Sequence, residues 1–264
     1  MKREFLVILF CIILFFTIYL YNSSKFIYGE VDNVIDGDTI ELSNGDKLRL
    51  YGINTPESDE YYYLEALIFL KEKIGNKKIK FKEYGKDQYN RTLATIYLDD
   101  VDINKELIRN GYATPYFTTK NNLKNEYDNA FEECKKEEIG LCKSSIDVCS
   151  SCIKLKELNY DAVGDDKDNV NGEYFILENV CDYDCSLNNW LVKDDTSRNR
   201  FRLNDVIIES KKEKYFHSGS GINTEEAYFL CSSKTCTPIW NNDFDSFYLR
   251  AGDGGLVIYS NYFS

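Results

Sequence analysis

Val34-Ile35-Asp36-Gly37-Asp38-Thr39-Ile40-Glu41-Leu42-Ser43-Asn44-Gly45-Asp46-Lys47-Leu48-Arg49-Leu50-Tyr51-Gly52 is the stretch that decides the fold. Short apolar runs are broken by Asp36-Gly37 and Asn44-Gly45, and Asp-Gly or Asn-Gly between such runs is a strong local hairpin signal. The reading gives strands at Phe26–Val34, Thr39–Leu42 and Lys47–Tyr51. Further along, Lys77–Glu83 and Leu93–Leu98 read as two more strands, set off by turns at Gly75-Asn76 and Gly85. Between the two groups, Tyr63, Leu67, Leu70 and Ile74 fall on one face of a helix that Gly75 stops. Two more helices are expected. Asn104–Asn110 ends at Gly111, and a run from about Asn121 to Gly140 aligns Leu123, Tyr127, Phe131 and Cys134. Five strands and three helices suit a small closed barrel capped by helices.

The chain has 264 residues, 43% of them hydrophobic and 15% aromatic, which excludes a disordered chain. Its net charge of −12 means that any polyanion must be met by a local basic patch. One such stretch is Lys71 to Lys86, where lysines outnumber Glu72 and Glu83. The single histidine, His217, excludes every mechanism that needs two, and its place beside a Gly-Ser turn suits a structural hydrogen bond.

At the N-terminus, Lys2 and Arg3 precede an uninterrupted apolar run from Phe5 to Tyr21. With no small-x-small cleavage site after it, residues 1–25 read as a signal anchor rather than a cleaved signal peptide. The flanking charge puts the rest of the chain outside the cytoplasm, anchored through residues 5–21 or, if cleaved, secreted. Cysteine usage agrees. Cys134, Cys142, Cys149, Cys152, Cys181, Cys185, Cys231 and Cys236 are an even set, as disulfides in an oxidising compartment require. They cluster at 134–152 and 181–236, so bonds are expected inside each cluster. A zinc site at 134–152 is the alternative, because Cys149-x-x-Cys152 has ligand spacing.

Candidate chemistry lies between residues 36 and 91. Asp36 and Asp38 share a tight turn, a source of oxygen ligands for a hard cation, although Asp-Gly is also an ordinary turn. Arg49 follows on the next strand, then the turn Asn54-Thr55-Pro56-Glu57, and Arg91 sits in a loop beside a strand. Carboxylates and guanidinium groups so spaced can converge on one phosphate. Tyr89, Tyr112 and Tyr116 are candidates for stacking on nucleic-acid bases.

Four stretches in register carry a resemblance: Val34–Thr39, Arg49–Glu57, Tyr89–Tyr97 and Asn104–Ala113. Over about residues 27–142 the chain resembles the staphylococcal nuclease (thermonuclease) family. That resemblance implies an OB-fold barrel of five strands with three helices, and calcium-dependent hydrolysis of phosphodiester bonds in DNA and RNA. By position, Glu57 matches the general base, Arg49 and Arg91 the phosphate-binding arginines, and Asp38 and Thr55 two calcium ligands. Asn54 stands where the family usually has a further calcium-binding aspartate, so calcium should be held more weakly.

Residues 143–171 read as a linker with cysteines, rich in Ser and then in Asp. From Gly172 to Ser264 the chain is all strand and turn. Gly172–Asn179, Asn189–Asp194, His217–Gly221, Ile239–Asn242 and Leu249–Val257 resemble the lamin tail domain. That implies an immunoglobulin-like β-sandwich with a binding or positioning role. The whole is expected to be a mainly β, exported, calcium-dependent nuclease of low sequence preference. Its partners are DNA or RNA, and the membrane if the anchor stays; no protein partner is expected. The alternative is a non-catalytic binder of nucleic acid or surface polymer built on a decayed barrel.

Overall fold

The computed structural model describes residues 26–118, 122–196, 198–232 and 235–263. The expected anchor, residues 5–21, lies outside them. Among the described residues no helix is long and apolar enough to cross a membrane.

The N-terminal half contains β1 (Ile27–Val34), β2 (Thr39–Leu42), β3 (Lys47–Leu50), β4 (Ile53–Asn54), β5 (Lys78–Lys86), β6 (Thr92–Leu98), β7 (Val101–Asp102) and β8 (Thr114–Pro115). Its helices are α1 (Tyr63–Ile74), α2 (Ile103–Arg109) and α3 (Asn122–Glu137). The sheet order is β3-β2-β1-β5-β6-β7, and a parallel β3–β6 pairing closes five strands into a barrel. Its register, Leu48↔Thr92, Arg49↔Leu93 and Leu50↔Ala94, brings the start of β6 beside β3. Val31, Ile40, Leu48, Leu50, Ile79, Phe81 and Ile96 fill the interior, with Leu70 and Ile74 of α1 and Leu107 and Ile108 of α2 over it. This mainly β barrel with three helices is the closed barrel expected from the strand pattern, and its OB-like architecture is the one that the family resemblance implies.

Asn104, fully buried on α2, ties the barrel to that helix. Its amide nitrogen donates to the Tyr51 carbonyl (2.9 Å) and the Ala94 carbonyl (3.1 Å), while its oxygen accepts from the Ile96 amide (3.2 Å). Asp102 caps the same helix by accepting from the Lys105 amide, as a good N-cap does.

The C-terminal half contains β9 (Ile153–Asn159), β10 (Tyr174–Asn179), β11 (Cys185–Ser186), β12 (Leu191–Lys193), β13 (Arg200–Arg202), β14 (Ile207–Ile208), β15 (Glu213–His217), β16 (Ala227–Phe229), β17 (Phe244–Arg250) and β18 (Leu256–Phe263). Two four-stranded sheets form, β16-β15-β10-β9 and β13-β12-β17-β18. Ile153, Phe175 and Phe216 of the first meet Val192, Phe247 and Leu249 of the second in one core around Trp190 and Trp240. His217 Nδ1 is 2.9 Å from the Asn171 carbonyl, the structural bond expected of it.

Two expectations need correction. The segment 143–171 is not merely a linker: it carries β9, which pairs antiparallel with β10 from Ile153↔Asn179 to Asn159↔Tyr174. Disulfides also do not stay within the two clusters. Cys134–Cys142 and Cys231–Cys236 are local, but Cys149–Cys185 and Cys152–Cys181 join one cluster to the other. The β9–β10 pairing is the reason, because it lays the turn before β9 against the loop after β10. With all eight cysteines of the described residues bonded, the zinc alternative at 134–152 falls.

The two halves share core and polar contacts. Tyr248 of β17 is buried within the barrel's hydrophobic cluster, and Tyr259 packs edge-on against Phe131 of α3 at 5.0 Å. Arg250 is buried where they meet, donating to the Leu141 carbonyl (2.7 Å) and the Gly254 carbonyl (3.2 Å).

Candidate active site

β-Pairing explains how distant stretches converge. In the β2–β3 ladder Thr39 lies opposite Arg49, so their side chains share one face. The β3–β6 closure delivers Arg91, the residue before β6, to the same place, with its Nη1 3.4 Å from the Thr39 hydroxyl. Arg91 is held from behind by Asp87, Nε to Oδ2 at 2.7 Å. Arg49 is fixed more firmly. Its Nη1 donates to the Leu50 and Ile53 carbonyls (2.7 and 3.0 Å), and its Nη2 reaches Asp38 Oδ2 (3.0 Å) and the Asn54 side-chain oxygen.

The turn 36–38 is shaped around Asp38. Asp36 accepts from the Asp38 amide (3.0 Å). Asp38 Oδ2 accepts from both the amide (3.1 Å) and the hydroxyl (3.0 Å) of Thr55. Gly37 permits this closeness: a Cβ there would stand 2.7 Å from the Thr55 hydroxyl oxygen and 2.9 Å from Ala66. Gly52 has the same necessity between β3 and β4, with φ +80° and the Phe117 ring against its Cα. Burial, followed by the charge of Asp38, raises the pKa of Asp36, as expected for two carboxylates sharing a site.

Arg49, Arg91, Tyr89, Tyr116, Thr196 and Arg198 are among the residues lining a cleft of about 380 Å³. Tyr89 and Tyr116 therefore line the same cleft as the two arginines, whereas Tyr112 packs on Phe69 at 5.0 Å, away from it. Burial and the charges of Asp195, Asp194 and Asp245 raise the pKa of Tyr116. Glu57 does not line the cleft. It opens the turn that ends at Glu60, its amide donating to the Glu60 carboxylate at 2.9 Å, and its own carboxylate makes no hydrogen bond among the described residues.

Asn54 is engaged at both ends. Its oxygen accepts from Arg49, and its amide nitrogen donates to the main-chain carbonyl of Asp195, in the loop between β12 and β13. The sequence gives no local sign of that second contact, nor of Thr196 and Arg198 at the cleft. They arrive through the packing of the C-terminal half.

A family model for staphylococcal nuclease homologues matches residues 47–144. The chain is 34% identical to the thermonuclease of Staphylococcus intermedius over 131 residues, 44% of this chain and 76% of that protein. The thermonuclease of Staphylococcus hyicus is 33% identical over 119 residues, 41% of this chain and 69% of that protein. This chain belongs to the staphylococcal nuclease family. An uncharacterized endonuclease of Haemophilus influenzae is also similar, 33% identical over 90 residues, 33% of this chain. The chain spans 51% of the length of that endonuclease and 61% of a similar one from Escherichia coli. The nuclease-family match thus covers β3 to the end of the barrel and includes Arg49, Asn54, Glu57 and Arg91.

For the calcium that the family implies, the relevant donors are hard oxygens: the Asp36 and Asp38 carboxylates, the Thr55 hydroxyl and the Asn54 amide. Their chemistry fits calcium. Among the described residues no three acidic, histidine or cysteine side chains form a metal-binding group. The set therefore offers little formal charge.

Proposed function

We propose that the protein is an exported, calcium-dependent nuclease that hydrolyses phosphodiester bonds of DNA or RNA with little sequence preference. The observation carrying this reading is the convergence of Arg49 and Arg91 beside Thr39 at the mouth of one cleft. A phosphodiester gains negative charge as water attacks it, and planar guanidinium groups can take two of its oxygens at once. Preorganised donors of this kind contribute about 3–4 kcal/mol each to the transition state. Arg91 has Nη2 without a hydrogen bond among the described residues, available to phosphate. Arg49 exchanges its Asp38 and Asn54 partners for phosphate oxygen, a swap between acceptors that keeps its two backbone carbonyl contacts in place. Glu57 serves as general base, its carboxylate free to take a proton from water. Asp38, Thr55, Asn54 and Asp36 would hold calcium, which when bound would supply fixed positive charge.

Export is supported by the oxidised state of all eight cysteines outside the N-terminal apolar run. The two packed β-sheets after residue 150 support a lamin-tail-like, immunoglobulin-like sandwich as the second module. The test is incubation of the full chain with single-stranded DNA and with RNA, in calcium or in chelator. Cleavage in calcium alone is the expected result. Binding without cleavage in both conditions would establish the non-catalytic alternative.

A further inference from the structure

Several cations at the junction of the two halves are paired with carboxylates, while the buried Arg250 faces main-chain carbonyls. Lys193 pairs with Glu60 at 3.0 Å, Arg200 with Asp59, Arg49 with Asp38 and Arg91 with Asp87. Arg198 differs. It is exposed, it lines the same cleft as Arg49 and Arg91, and among the described residues its guanidinium meets no carboxylate. Among the described residues its guanidinium makes one hydrogen bond, to a phenol: Nη2 donates to the Tyr89 hydroxyl at 3.0 Å. Tyr89 is itself 64% exposed, with the Arg91 guanidinium 5.5 Å from its ring centre.

The described residues on either side of Arg198 are held in place by hydrogen bonds. Asp194 accepts from the amide and hydroxyl of Thr196 (2.7 and 2.8 Å) and from the Asn199 amide nitrogen (2.6 Å). Asn199 also donates to the Ile239 carbonyl (3.0 Å). Asp195 is buried: its amide donates to Asp245 (3.2 Å), its carboxylate accepts from Tyr248 (3.1 Å), and its carbonyl accepts from Asn54. Backbone braced on both sides of Arg198 needs little reordering when an anion binds, which lowers the cost of that contact.

Resting on the nuclease reading above, we propose that Arg198 binds the substrate phosphate next to the one held by Arg49 and Arg91. The C-terminal module thereby forms one wall of the nucleic-acid site. The adjoining base stacks on Tyr89, whose ring Arg91 and Arg198 hold in position. The substrate class is thus a nucleic-acid strand with at least one phosphate beyond the scissile diester.

The experiment compares full-length wild type, Arg198→Ala and Arg198→Lys on two substrates. One is a ten-residue oligothymidylate; the other is a nucleoside nitrophenyl phosphodiester, which has a single phosphate. Arg198→Ala should lower kcat/KM on the oligonucleotide about tenfold, mainly through KM. That loss should exceed any loss on the single diester at least fivefold, and Arg198→Lys should recover part of it. Equal losses on the two substrates, or none on the oligonucleotide, overturn the proposal. A second arm needs no catalysis. In chelator, the slope of log affinity against log salt for the labelled oligonucleotide should flatten by about 0.7 in Arg198→Ala, the share of one single-strand phosphate contact. If the wild type cuts neither substrate, the nuclease reading fails. This slope then decides the role of Arg198 alone, and an unchanged slope overturns it.

Discussion

Asn54→Asp is the most informative single change, because the structure gives this side chain two jobs that one extra charge affects in opposite ways. As an amide it accepts from Arg49 and donates to the Asp195 carbonyl. A carboxylate keeps the first contact and forfeits the second, leaving a part-buried carbonyl facing an anion. An orphaned acceptor of this kind costs about 1–3 kcal/mol. The stronger bond to Arg49 offsets little of that, since Arg49 is already paired with Asp38 at 3.0 Å. A net loss of about 1–2 kcal/mol lowers Tm by roughly 2–6 °C for a chain of this size. Calcium should act the other way. A unit charge near 4 Å is worth about 4 kcal/mol at an effective dielectric of about 20 before desolvation, most of which the stripped water cancels. On the order of tenfold tighter calcium remains, or about 1.4 kcal/mol. The assay is thermal unfolding of wild type and variant in chelator and over a calcium titration. The variant should melt lower in chelator, and the gap should narrow as calcium is added. If Asn54→Asp melts at or above the wild type in chelator, the contact with Asp195 does not contribute as argued. If calcium leaves the gap unchanged, position 54 is not beside the metal.

Glu57→Gln, Arg49→Lys and Arg91→Lys should each lower turnover by about 10²-fold, because the base or the bidentate fork is lost; activity within a few-fold of wild type would refute that assignment. Peptide mapping without reduction should recover Cys149–Cys185 and Cys152–Cys181 as cross-linked pairs, and a 149–152 or 181–185 pair would contradict the fold. Burial raises Glu173 from the ordinary 4.5 to about 7, so the neutral acid is the form this fold accepts. Its stabilisation is complete below about pH 4.5 and is lost as pH rises through about 7. Glu173→Gln should therefore raise stability at pH 8.5 by up to about 2 kcal/mol, after allowance for screening, and change little at pH 5; equal effects at both pH values would show that the acid is not strained.

The barrel was readable because its signals are local. Asp36-Gly37 and Asn44-Gly45 each fix a hairpin within a few residues, and the spacing of Tyr63, Leu67, Leu70 and Ile74 fixes α1. Arg49 and Arg91 could be matched from sequence order. That they meet Thr39 depends on the parallel β3–β6 closure, which no window of sequence contains. β9 was hidden for a different reason. Its apolar residues Ile153 and Leu155 alternate, but a register shift opposite Ile176 and Leu177 moves the next one to Leu158, and the period of two is broken. With β9 unread, the cross-cluster disulfides could not be inferred either. Arg198 carries no signal of its own, since an arginine in a polar loop reads as a solvated charge until the opposite wall of the cleft is seen.

Arg250 gives the junction a further property. Its guanidinium is buried, and its partners are main-chain carbonyls, Leu141 from one half and Gly254 from the other. Parting the halves would strand the Leu141 carbonyl and uncover Tyr248 and its barrel neighbours together. The edge of family similarity at residue 144 is therefore not an edge of cooperativity. Heat should melt barrel and sheets in a single calorimetric transition. A barrel excised at that edge, or a tail grafted onto a foreign nuclease, would inherit half of an interface, with Glu60 parted from Lys193 and Asp59 from Arg200.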